Sequence, residues 1–171
     1  MMQLISKAVL FTTLLTLISC QPASIKEPEQ IGRQVFKILK NIDDNSKEDY
    51  ISNFLSIEEI QQLATNEKLV KDADTRNEMT SITKEEWNKR IEMDYNRIQI
   101  KSKEYGINWN NIEYLVFPNI PINEGELIKG CHGELFFKCK GKSFKVNVTS
   151  FWNSREYRLL TIENLTRGPD K

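Results

Sequence analysis

Cys131, His132, Glu134 and Cys139 lie within nine residues of one another and are the side chains in this chain best suited to chemistry. His132 is the sole histidine, with Glu134 two residues on, so the pair offers an acid–base couple active near neutral pH. Neither has a partner recognisable from spacing, and a histidine at the start of a surface strand accounts for the same residues. Cys131, His132 and Cys139 supply three zinc-ligand types, but neighbours on a strand point to opposite faces and no fourth ligand stands nearby. A disulfide between the two cysteines requires Cys131 to fold back from its own strand: eight residues along one strand separate them by about 26 Å, against the roughly 7 Å a bridge spans. Otherwise they are two small buried side chains. The G-x-S-x-G, H-E-x-x-H, Walker and dinucleotide patterns are missing. Asp43-Asp44-Asn45-Ser46 lacks the spacing and terminal glutamate of a calcium loop. No cofactor or metal is expected.

These residues belong to a segment rich in β-formers. Residues 130–165 contain three such runs, divided by Lys140-Gly141-Lys142 and Asn153-Ser154-Arg155, which read as hairpin turns. Leu135, Phe137 and Cys139 should share one face, opposite Phe136 and Lys138. Phe144, Val146, Val148 and Trp152 should share another, and Leu160 should align with Ile162. Phe151, if exposed, would mark a contact surface, and Trp87, Tyr95, Trp109, Phe151 and Trp152 are candidates either for a ligand pocket or for the core. Upstream, residues 111–117 form a strand stopped by Pro118 and Pro121, and Leu127-Ile128 offers a further short one.

Helices precede the sheet. Ile31, Val35, Ile38, Leu39 and Ile42 follow a helical stripe after Pro28, and Tyr50, Ile51, Phe54 and Leu55 read as core. Ser46 caps a short turn through Asp49, and Ser56-x-x-Glu59 and Thr83-x-x-Glu86 are capping boxes. The last opens the longest helix, ending at Gly106, with Trp87, Ile91, Tyr95, Ile98 and Tyr105 inward and Glu85–Lys89 and Glu86–Arg90 paired outside. Residues 66–82 read as a loop with at most one helical turn. The expectation is an α+β domain over residues 29–165, its N-terminal helices packed on a curved antiparallel meander, and a polar tail at 166–171. That order of elements resembles the cone-shaped domains of the nuclear transport factor two-like (cystatin-like) superfold. The resemblance implies helices filling a concave sheet; some enzymes of that superfold abstract a proton at the cone mouth, but no motif here matches theirs.

The first residues speak to location. Lys7 precedes an apolar run that is too short to span a bilayer and ends in Leu17-Ile18-Ser19-Cys20. This tetrapeptide resembles the lipobox of bacterial lipoproteins. The resemblance implies that residues 1–19 are a signal peptide, that Cys20 is lipidated, and that the mature chain begins there. Residues 20–28, with two prolines, then read as the lipidated cysteine and a short tether. Gln21, in place of an aspartate, favours the outer membrane by the same resemblance, if the cell has one. Lys plus Arg and Asp plus Glu number 24 each; losing Lys7 leaves 23 against 24, or −1, which argues against a nucleic-acid partner.

The expected function is a lipid-anchored envelope module that binds a protein or small ligand without chemistry. Two alternatives stay open: a small enzyme using His132 or Glu134 in a cavity, and an inhibitor or immunity-type lipoprotein.

Overall fold

The computed structural model describes residues 24–122 and 130–169. The expected signal peptide, Cys20, residues 21–23, the Leu127-Ile128 strand and the end of the tail lie outside the described residues. The chain is an α+β protein: among the described residues, five α-helices precede a five-stranded antiparallel sheet.

Helix α1 (Pro28–Lys40) starts where Pro28 occupies the first turn, and Gln30 closes a capping box with Glu27. Ile31, Val35, Ile38 and Leu39 are buried along it. Helices α2 (Lys47–Ile51) and α3 (Ile57–Ala64) open on the boxes at Ser46/Asp49 and Ser56/Glu59, and Ile57, Ile60, Leu63 and Ala64 turn inward. Helix α5 (Lys84–Tyr105) opens on Thr83/Glu86 and ends at Gly106, whose φ of 67° is the left-handed conformation glycine tolerates. The Ile107 N–H reaches back to the Ser102 carbonyl at 2.9 Å.

Two helical expectations change. Residues 73–81 form helix α4 (Ala73–Ser81), where the sequence reads as a loop. It buries no residue, so it has no hydrophobic period to show; the Asp72 carboxylate caps it by accepting from Thr75 N at 2.7 Å. On α5 the Glu86 carboxylate turns back to Thr83 N at 2.9 Å, and the ion pairs along the helix are Asp94–Arg97 and Lys101–Glu104.

The strands are β1 (Glu113–Val116), β2 (Asn119–Ile122), β3 (Gly130–Cys139), β4 (Lys142–Trp152) and β5 (Tyr157–Arg167), in the order β1-β3-β4-β5, with β2 also on β3. Strands β1 and β2 are one interrupted edge. Tyr114 pairs with Phe137 and Ile120 with His132, while between them Phe117 turns into the core and Pro118 O accepts from Glu134 N. Pro118 therefore breaks the strand without ending it, and Pro121 sits in β2, an edge position where the missing N–H is tolerated. Lys140 (φ 49°) and Gly141 (φ 76°) form the β3–β4 turn. In the second turn Asn153 Oδ1 accepts from Arg155 N and Glu156 N at 3.0 Å each.

On β3 and β4 the expected alternation holds for Leu135, Phe137, Cys139, Phe144, Val146 and Val148, all buried. It fails at the ends. On β4 Ser150 keeps the inward parity, but Trp152 is only half-buried and Phe151, of the opposite parity, is buried, so Phe151 is no exposed contact surface. Strand β5 carries an extra residue at Leu160 and another at Asn164 (φ 56°). The bulges bring Leu159, Ile162 and Leu165 to the core and release Leu160 from it. The strand also runs two residues into the expected tail, and Gly168 N bonds Ser143 O. At the other end of the chain, Ile25 is buried and bridged to Tyr157, so the expected tether is already part of the fold by residue 25.

Candidate functional site

Helices α3, α4 and α5 meet the released face of β5 around a groove of about 440 Å³, within the size range of small-ligand sites. Its apolar surface includes Leu63, Met79, Trp87, Ile91, Phe151 and Leu160. Each comes from a local feature. Leu63 follows the Ser56 cap by two turns, Trp87 and Ile91 share the inner stripe of α5, and Leu160 is the bulged residue of β5. Trp87 is fixed at its tip by donating Nε1–H to Leu55 O at 2.7 Å. Leu55 N in turn donates to Leu159 O at 2.9 Å, so one peptide joins helix and sheet.

The polar part of the lining is charged. Glu78, Asp94 and Glu163 face Arg90 and Arg97 there. Asp94 is half-buried, and burial pushes its carboxyl above the ordinary aspartate range, with Glu163 adding to the shift. Arg97 opposes it from 3.4 Å. Thr161, next to the bulge, lines the groove with a buried hydroxyl that has no hydrogen-bond partner. A buried hydroxyl left unpaired is costly, and a ligand group would relieve it. Tyr50, its ring tilted against that of Tyr95 at 5.0 Å, is also buried with an unpartnered hydroxyl; burial, then Asp94, drives its pKa upward.

His132 and Glu134 lie together on the outward side of β3 and do not line this groove, although Glu163 borders both concavities. His132 is exposed and its Nδ1 lies 3.0 Å from Thr149 Oγ1 on β4. Glu134 is bound to Lys145. They line a shallow depression of about 360 Å³ over Asn147 and Thr149, with no carboxylate bonded to the imidazole. Cys131 and Cys139 are both on β3, buried and free, as the separation along one strand requires. No cluster of three metal-ligating side chains occurs among the described residues. Of the aromatic candidates, Trp87 and Phe151 line the groove, whereas Trp109 packs in the core against Phe137 at 5.7 Å and Trp152 against Tyr157 at 5.0 Å.

A second concavity, about 650 Å³, lies at the sheet edge beside the exposed Leu115 and Val116. It is larger, but among the described residues no unpartnered buried polar atom and no acidic side chain lines it. The groove was not legible in the sequence. Its one advance sign was Phe151 standing at odds with the parity of Trp152.

No family model, no curated protein and no solved structure matches the chain. The cystatin-like resemblance expected from the order of elements finds no match among solved structures. No helix among the described residues is long and apolar enough to cross a membrane.

Proposed function

We propose that this chain is a lipid-anchored cell-envelope protein, held through Cys20, whose folded body is a non-catalytic binding module for a small amphipathic cation. The anchor reading is supported by the leader and its closing Leu17-Ile18-Ser19-Cys20, and Gln21 favours the outer membrane where there is one. The binding reading is carried by the groove: an apolar wall ending at Asp94 and Glu163, with the Thr161 hydroxyl unpaired. Asp94, its proton affinity raised by burial and then by the nearby Glu163, is relieved by a positive group, and the apolar wall takes the hydrocarbon attached to it. A groove of this size favours a small molecule over the protein partner of an inhibitor. The acid–base reading of His132 and Glu134 draws less support, because His132 is exposed and Glu134 is already engaged by Lys145.

Calorimetric titration with decylamine, decanol and decanoate, each below its aggregation concentration, tests the binding reading. Decylamine should bind tightest and decanoate weakest, and Met79→Trp, which fills the groove from half-exposed α4, should abolish binding without lowering the thermal midpoint. Equal or absent binding of all three would rule the cation out.

A further inference from the structure

The N-terminal segment is stitched to one end of the sheet. Tyr157 N donates to Ile25 O at 2.8 Å, and Lys26 Nζ donates to Arg155 O at 2.6 Å. Ile25 is thus held against the start of β5, and Lys26 against the turn joining it to β4. Only residues 21–24 separate Ile25 from Cys20. Five Cα-to-Cα steps of at most about 3.6 Å limit that separation to about 18 Å whatever path the chain takes. Strand β4 has 11 residues from Lys142 to Trp152, a length of about 33 Å at the usual rise. The two ends of the sheet therefore stand in very different relations to Cys20.

We infer that the end of the sheet formed by Trp152, the 153–156 turn and Lys26 rests on the lipid headgroup layer, with the Lys140-Gly141 turn pointing away from it. This rests on the proposal that Cys20 is acylated. The residues at that end suit the position. Trp152 is half-buried and packs on Tyr157, as amphipathic aromatics do at membrane interfaces, and Lys26 and Arg155 are exposed cations held side by side. Glu27 and Glu156 lie in the same stretch, so charge attraction there is local and small. The short covalent reach sets the orientation, and the aromatic and basic groups fit it.

The full chain, expressed with its leader in a lipoprotein-processing bacterium and purified from membranes, permits a direct measurement. Ser154→Cys and Lys142→Cys variants each present one exposed thiol, since Cys131 and Cys139 are buried. With a donor dye on either thiol, in phosphatidylcholine–phosphatidylglycerol vesicles carrying acceptor-labelled lipid, energy transfer should be several-fold greater from position 154 than from 142. Equal transfer with an acylated Cys20, verified by intact mass on the same sample, would overturn the orientation alone. An unmodified Cys20 would overturn the anchor proposal and the orientation with it.

Discussion

Gly32 on α1 lies so close to Phe117 that a β-carbon added to the glycine would stand 2.3 Å from Phe117 Cβ. The far edge of the same ring covers Gly133 on β3, where an added β-carbon would stand 2.4 Å from Phe117 Cζ. Phe117 is the residue that leaves the edge strand at Pro118, so the break in that strand and the seating of α1 on the sheet share one side chain.

Gly32→Ala should therefore destabilise the protein by up to about 2 kcal/mol. An overpacking cost of about 1–3 kcal/mol is only partly offset by the roughly 1 kcal/mol that alanine contributes to a helix. Chemical denaturation of Gly32→Ala, alone and combined with Phe117→Leu, checks this. The smaller side chain should restore part of the loss, and a simple gain from Gly32→Ala would refute the contact.

Trp87→Phe keeps an aromatic ring on the groove wall but removes the only donor to Leu55 O from α5 among the hydrogen bonds described. A buried carbonyl left without a partner costs about 1–3 kcal/mol. The thermal midpoint should fall accordingly, and an unchanged midpoint would mean that water or another group replaces the indole.

Asp94 gives a pH-dependent signature. Its folded pKa is raised by burial, then by Glu163, so between the unfolded and folded values the native state binds more protons than the unfolded one. Its contribution favours folding most at low pH and turns unfavourable as pH rises through the folded pKa. Asp94→Asn should thus be more stable than the parent at neutral pH, with the difference shrinking as the solution is acidified toward ordinary aspartate values. Denaturation of both proteins across mildly acidic to neutral pH reads the difference directly, cancelling the carboxylates Glu58, Asp72 and Glu86, whose pKa values are lowered by hydrogen bonds at the starts of their helices.

The cysteines should be inert. Burial pushes the Cys131 thiol up to about 11, which leaves almost no thiolate at neutral pH, and Cys139 is equally enclosed. A thiol reagent should find neither in the native protein and both after denaturation. Fewer than two reactive thiols in denaturant would show that they pair.

Whatever depends on a few adjacent residues was open to reading from the chain alone. The caps at Ser46, Ser56 and Thr83, the stop at Gly106, the stripe of α1 and the alternation from Leu135 through Val148 all follow from short-range hydrogen bonding and period. They identify an α+β protein with its helices first. Four features were decided in three dimensions. Helix α4 has no buried face to announce it, and Pro118 interrupts an edge strand that resumes because β3 offers it further partners. Ile25 joins the fold by pairing with Tyr157, 132 positions away by subtraction of the residue numbers. The bulge at Leu160 reverses the parity of β5 and so creates the groove that Asp94, Thr161 and Glu163 line. Each of these depends on where a distant strand or helix presents its hydrogen bonds and volume, and local periodicity carries no record of that.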